Sequence, residues 1–315
     1  MTTPTRKRPR GQLTNPRHRR RNPPRPTVPG TPGTSPPPEA AVTRANRSWP
    51  GRSPGSSPGT LHLVATPIGN LEDVSARVVR LLGEADVIAA EDTRQTRKLL
   101  SHLGLHTPLV SYHQHSGPSR AAELLRRLED GEEVALVSDA GTPAISDPGW
   151  SLVSLAVERG IRVSPVPGPS ALILALCGSG LPTSSFIFEG FLPRRPGPRR
   201  RRLSELSSSG VTLVFYESPH RILDALEDVA ETLGDPPVAV ARELTKVHEE
   251  FLRGKASEVL GELRARAARD GRPLGEFTVV VANPGGRRGR GAAGGKAPRG
   301  DEAPAAQGHG RSTKS

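Results

Sequence analysis

The sequence predicts an α/β fold in two consecutive domains, flanked by arms that do not fold, and three observations lead there. From residue 60 onward, short runs rich in β-branched residues alternate with helical stretches, the pattern of strands feeding crossover helices. The alternation pauses at Gly180-Leu181-Pro182 and then restarts. Outside 60–285 composition changes: residues 1–59 hold 14 of the 33 prolines and no hydrophobic run longer than three, too little apolar surface to offset the entropy of ordering. Residues 286–315, rich in Gly and Arg, fail in the same way. The expected organisation is a disordered basic arm over 1–59, α/β domains over 60–181 and 182–285, and a disordered tail over 286–315.

In the first domain the strand candidates are 61–66 (LHLVAT), 86–90 (DVIAA), 133–138 (EVALVS) and 162–166 (RVSPV). Helices are expected near 74–83, 93–103, 119–129, 149–159 and 169–177. In the second domain strands fall near 185–191, 211–216, 237–242, 247–253 and 276–282, and helices near 199–207, 219–232 and 257–268. The late strands follow one another with short gaps, so the second sheet should be the more antiparallel.

Charge divides along the same boundaries. The N-terminal arm carries 12 Lys or Arg against one acid, net +11, and the tail nets +5. The part between has 25 bases against 29 acids, so the overall +12 belongs to the arms. Such arms associate with polyanions through counterion release and suggest an RNA, DNA or ribosome neighbourhood. Solubilising extensions, or a start codon placed too far upstream, account for them as well. The single Cys177 excludes an intramolecular disulfide and any multi-cysteine metal site. No segment has the roughly 18 apolar residues of a membrane span, and the Arg-rich start runs into proline instead of an apolar signal core. The expectation is a soluble chain in a reducing cytoplasm, with no membrane partner and no metal. The sequon at Asn46 therefore has no secretory route.

The residues that could carry chemistry lie at strand ends. Three strands finish in bends of small residues: Thr66-Pro67-Ile68-Gly69-Asn70, Asp139-Ala140-Gly141-Thr142-Pro143 and Pro167-Gly168-Pro169-Ser170-Ala171. Ligands of open α/β sheets bind outside the carboxyl ends of the strands, where such residues let backbone approach closely. Pro169 and Ser170, at a helix start, leave N–H groups that could hold a carboxylate. Single bends of this kind are ordinary turns; three of them at strand ends suggest one pocket. A second group is charged: Glu91-Asp92-Thr93-Arg94, Glu217 to Arg221 with His220, and Arg242 to Lys246. It is either a solvated salt-bridge rim or a polar site that binds a charged substrate and moves a proton. Between two strands, Arg194, Arg195, Arg199, Arg200, Arg201 and Arg202 put six arginines into nine residues, read as a mobile positive loop. His113 and His115 lack the further ligands of a metal site and suit ordinary hydrogen bonds. Gly289-Arg-Gly291-Ala-Ala-Gly294 fits the dinucleotide fingerprint literally but follows no strand and opens no helix.

Eight stretches occur in a telling order: TPIGNLED (66–73), AEDTR (90–94), SDAGTPAISDPG (138–149), PGPSA (167–171), FEGFLPR (188–194), FYESPHR (215–221), RELTK (242–246) and GEF (275–277). Together they resemble the bacterial 16S ribosomal RNA (cytidine 2′-O) methyltransferases of the tetrapyrrole methylase superfamily. The resemblance covers essentially all of 60–285. It implies a tetrapyrrole methylase-like fold with S-adenosylmethionine in the cleft between two α/β domains, a homodimer, and the small ribosomal subunit as partner. The product would be a ribose-methylated cytidine of the decoding centre. Carried over, Pro67, Gly69 and Asn70 would border the cofactor, Asp139, Ala140, Gly141, Thr142 and Pro143 would form the superfamily's Gly-Asp-Pro-like loop, and Gly168, Ser170 and Ala171 would lie at the next strand end. The two arms stand outside the family pattern, and many relatives have a further helical segment where this chain has its Gly/Arg-rich tail.

The chemistry expected is in-line displacement of a sulfonium-bound methyl group by a ribose hydroxyl, for which no metal is required and alignment supplies most of the acceleration. The hydroxyl is a very weak acid, so a base should assist. Asp92 or Glu91 is the expected proton acceptor, with Lys246 and Arg94 as nearby cations. The six arginines of 194–202, with His220 and Arg221, would hold the RNA. Two other functions fit: methylation of a tetrapyrrole carbon by the same fold, and a non-catalytic RNA-binding protein acting through its arms.

Overall fold

The computed structural model describes residues 57–283. The arms, apart from 57–59, lie outside the described residues, as do the Asn46 sequon and the glycines of 289–294. At the boundary, Gly59 N–H donates to the Leu128 carbonyl at 2.7 Å, so the chain is tied down just before its first strand.

The first half runs β1 (Thr60–Val64), α1 (Ala76–Glu84), β2 (Val87–Ala90), α2 (Thr93–His102), β3 (Leu109–Ser111), α3 (Pro118–Glu129), β4 (Val134–Val137), α4 (Trp150–Glu158) and β5 (Arg162–Val166). The strands lie in the order β3-β2-β4-β1-β5, all parallel. β2 (VIAA) and β4 (VALV) are buried at every position, as strands covered on both faces must be. Val78, Leu81 and Leu82 of α1 and Leu100 of α2 pack on one face of the sheet. Leu124, Leu125 and Leu128 of α3 and Leu152 of α4 pack on the other. The chain therefore leaves β1 and β2 toward one face and β4, which lies between them, toward the opposite face. That is a topological switch, and it opens a crevice at the carboxyl ends of these three strands. β3 was not expected from the sequence: it is a three-residue edge strand, partly buried throughout and too short to show a period.

The second half comprises α5 (Ala171–Gly178), β6 (Phe186–Phe191), α6 (Pro196–Ser207), β7 (Thr212–Glu217), α7 (Ile222–Leu233), β8 (Pro237–Arg242), β9 (Glu250–Lys255), α8 (Ala256–Asp270) and β10 (Phe277–Val281). Its order is β6-β7-β10-β8-β9, with only the β6–β7 pair parallel, as the short late connections suggest. The alternation along the strands separates two faces: Leu213, Phe215, Val238, Val240 and Val279 meet α6, α7 and α8, whereas Val214, Ala239, Ala241 and Val280 meet α5. α5 (ALILALCG) is apolar on every side, which suits a helix caught between layers. The sequence pause near 180–182 thus follows a helix that already packs on the second sheet, and the chain crosses from one sheet to the other through the 167–170 bend.

The arginine-rich stretch is not a loop along most of its length. From Pro196 it is the first half of α6, because proline is tolerated in the first helical turn, where its missing N–H has no partner to lose. Among the described residues, no helix is long and apolar enough to cross a membrane.

Candidate functional site

The three small-residue bends meet at the crevice. Thr66 and Gly141 form an antiparallel bridge, exchanging N–H···O bonds of 2.9 and 3.0 Å that join the loops after β1 and β4. Gly141, at φ 79, adopts a backbone conformation that glycine tolerates best. The third bend closes against both: Thr142 Oγ1 donates to the Pro169 carbonyl at 3.4 Å. Gly168 lies so close to β1 that a Cβ there would stand 2.6 Å from the Cβ of Ala65.

The second half supplies the facing wall. Tyr216, at the end of β7, accepts the N–H of Leu172 in the first turn of α5 at 3.2 Å, and burial pushes its phenol pKa up. The stem of Lys246 lies across Gly69, where an added Cβ would come 2.3 Å from Lys246 Cγ. Lys246 Nζ is bound to Glu243 and Glu276, each at 2.9 Å. Burial alone would lower its pKa, but these hydrogen bonds outweigh burial and raise it. The cation expected to assist the hydroxyl is therefore already neutralised by two carboxylates. Between the halves lies a recess of about 380 Å³ lined by Asp73, Gly168, Pro169, Ser170, Ile173, Leu174 and Thr245. Thr245 Oγ1 is buried there without a hydrogen-bond partner. Ser170 caps α5 without a side-chain hydrogen bond, which leaves the first-turn N–H groups other than that of Leu172 for a ligand. Closely approached glycines, an orphaned hydroxyl, free helix N–H groups and two exposed apolar side chains suit S-adenosylmethionine, which has an adenosine, a sulfonium and an amino-acid end. Gly168, Ser170 and Thr245 of the recess lining could hold such a molecule.

Around Asp139, in the loop after β4, a group of acids gathers. Asp92 Oδ1 accepts the Arg94 N–H at 2.7 Å as the N-cap of α2, and the Asp92 N–H donates to Asp139 Oδ1 at 2.9 Å. The Asp139 N–H reaches Glu91 Oε2 at 3.4 Å. Half-buried Glu91 has a raised pKa, chiefly from burial. Asp147, which sequence reasoning passed over, is pushed up to about 6, first by burial and then by the charge of Glu91. Its only sequence signal was the Asp-Pro-Gly turn at 147–149, placed here by the left-handed backbone of Ala144 and Ser146. Pro67, Asn70, Ala140 and Pro143 lie in the same bends; Asn70 accepts the Glu72 N–H to start a short 3-10 turn over Leu71–Asp73. His113 Nδ1 accepts the His115 N–H at 3.2 Å, an ordinary hydrogen bond.

The arginines expected on RNA divide into two kinds. Arg199 is buried, at 2% exposure, against Asp228, and Arg221 turns inward to Glu217 and the Leu192 carbonyl. Neither presents its guanidinium to a phosphate, because a buried carboxylate holds each one. Arg200 pairs with Asp228 and Glu231, and Arg202 with Glu189 and Glu205. Arg194, Arg195 and Arg201 are exposed and have no carboxylate partner among the described residues. Arg94 is likewise exposed, and exposed His220 lies 3.2 Å from Arg272.

Comparison with known proteins agrees with this architecture. The tetrapyrrole (corrin/porphyrin) methylase family matches residues 60–260. A ribosomal RNA small subunit methyltransferase I of Halalkalibacterium halodurans is 54% identical over 223 residues, 71% of this chain and 75% of that protein. The protein of that name from Thermotoga maritima is 49% identical over 71% of this chain and 98% of its own length. Among solved structures, a cobalt precorrin-4 methyltransferase superposes with a TM-score of 0.53 at 19% identity, over 71% of this chain and 94% of its own. A diphthine synthase superposes with a TM-score of 0.55 at 16% identity, over 71% and 90%. At such low identity these two structures support the fold alone. The chain belongs to the tetrapyrrole (corrin/porphyrin) methylase family, in its group of ribosomal RNA small subunit methyltransferases I.

Proposed function

We propose that this chain methylates the ribose 2′-hydroxyl of a decoding-centre cytidine in 16S ribosomal RNA, within the small ribosomal subunit and with S-adenosylmethionine as donor. The observation that carries the reading is the identity of about half its residues, over most of its length, to small-subunit methyltransferases I. The recess between the halves supports it. When bound, the cofactor supplies an activated methyl group on sulfur. Gly69, Gly141 and Gly168 let the three bends close around it, and the α5 N–H groups and Thr245 offer it hydrogen bonds. Glu91 and Asp147 are the acceptors placed for the hydroxyl proton, since their raised pKa values bring them toward the range useful to a base near neutrality. Asp92 holds the first turn of α2 and sets the position of Arg94. Lys246 joins the halves across Gly69, and Arg94, Arg194, Arg195 and Arg201 are the cations available to RNA phosphates. A second copy of the chain covers the apolar surface of the α4 region, where Trp150 is 72% and Val157 62% exposed.

The test is transfer of labelled methyl to small subunits isolated from cells lacking this modification, followed by digestion to nucleosides and mass spectrometry. The expected product is 2′-O-methylcytidine. Label on a base or another nucleoside, or transfer to a precorrin in preference to RNA, would overturn the assignment.

A further inference from the structure

The segment Leu192–Arg195, which joins β6 to α6, is held by two guanidiniums. Arg221 Nη2 donates to the Leu192 carbonyl at 2.7 Å and to the Pro193 carbonyl at 3.3 Å. Arg199 Nη1 donates to the Arg194 carbonyl at 3.3 Å. Three successive carbonyls are thus gripped from behind. Each guanidinium is fixed in turn by a buried acid: Asp228 stands 2.5 Å from Arg199 Nε, and Glu217 stands 3.1 Å from Arg221. Buried ion pairs are a poor way to gain stability, because desolvation offsets the attraction, and apolar side chains of similar volume often serve as well. What this network does supply is a fixed path for an exposed segment. That segment carries Arg194 and Arg195, exposed and without carboxylate partners among the described residues.

The position of the segment also matters. Just before it, a Cβ at Gly190 would lie 3.0 Å from Ser146 Oγ in the loop after β4. The Phe191 ring lies 5.8 Å from that of Tyr216, whose hydroxyl holds α5 at the recess. The segment therefore leaves β6 at the mouth of the cleft.

We propose that Arg199 and Arg221 are positioning residues for the RNA substrate: they hold the Leu192–Arg195 main chain so that Arg194 and Arg195 meet phosphates of the strand entering the cleft. This rests on the RNA reading above. The test is a double-mutant cycle on the full chain, combining Arg221→Met with the pair Arg194→Ala and Arg195→Ala. Affinity for unmethylated small subunits is measured between 50 and 200 mM salt, and S-adenosylmethionine binding by calorimetry. Losing two phosphate contacts should reduce the slope of log affinity against log salt by about 1.4. It should raise KM for the subunit while kcat stays within about twofold. Arg221→Met should produce much of the same change, and the combined variant should lose little more than the alanine pair alone, with cofactor affinity kept throughout. Losses that multiply, or an Arg221→Met slope equal to wild type, overturn the positioning role. Should the methionine variant lose cofactor binding, Arg221→Lys keeps the charge beside Glu217 but gives up the fork to two carbonyls, and is read by the same two outcomes. A wild-type chain that does not bind subunits overturns the functional reading itself.

Discussion

Replacing Gly168 by alanine probes the convergence of the three bends at its tightest point. The new Cβ would stand 2.6 Å from Ala65 Cβ and 3.3 Å from the Ala65 carbonyl oxygen. Ala65 is 2% exposed and belongs to the chain leaving β1, so neither partner is the end of a flexible side chain. An ordinary carbon–carbon separation of about 3.5–4.0 Å requires the third bend to move away by about 1 Å. Overpacking of this kind costs about 1–3 kcal/mol. At roughly 2–4 °C per kcal/mol for a domain of this size, the melting temperature should fall by about 2–12 °C. The displaced bend carries Gly168, Pro169 and Ser170 of the recess, so cofactor affinity should fall by about 10-fold or more, at about 1.4 kcal/mol per decade. Calorimetric titration with S-adenosylmethionine and a thermal scan measure both effects. Gly261→Ala is the control: it lies within α8, has open space around it, and should stabilise by about 0.5–1 kcal/mol with affinity unchanged. A Gly168→Ala protein with wild-type affinity and melting temperature would refute the argument that this close approach shapes the site.

Three further outcomes are expected. Asp147 has a folded pKa of about 6, above the usual 3.8, so the stability present below that lower value is lost as pH rises through 6. Discounted for its partial exposure, Asp147→Asn should be more stable than wild type by about 1 kcal/mol above pH 6 and equal to it near pH 3.5, whereas a pH-independent difference in urea unfolding would contradict this. Tyr216→Phe removes the acceptor of the Leu172 N–H, which should cost about 1 kcal/mol and speed hydrogen exchange at Leu172; unchanged exchange would count against a bond between β7 and α5. Asp228→Ala leaves the buried Arg199 charge unpaired and should cost about 3–5 kcal/mol in denaturant unfolding, and a loss below about 1 kcal/mol would show that the pair is not buried as described.

The sheets were legible because their signals are local. The all-apolar runs of β2 and β4 and the close succession of β8 and β9 leave few alternatives. The three bends were legible as well, since each gathers Gly, Pro, Asp or Thr at a strand end. What sequence could not show was direction. Six arginines in nine residues read as one positive surface, yet Asp228, 29 residues after Arg199, turns that side chain inward. Nothing near 199 announces so distant a partner. Lys246 looked like a free cation until Glu276, on the approach to β10, came beside it. Asp147 was hidden for a similar reason: its raised pKa comes from burial and from Glu91, 56 residues away in sequence. α5 was placed correctly along the chain, but the sheet it covers is settled by small side chains at Ala239 and Ala241 rather than by its own sequence.

The most direct measurement is a crystal structure of the full chain with S-adenosylhomocysteine. The account predicts the nucleoside in the recess between the halves, touching residues of the 66–70, 139–143 and 168–171 bends, with Thr245 Oγ1 gaining a partner. A ligand bound away from these bends, or a recess that stays closed to it at saturating concentration, would contradict the account.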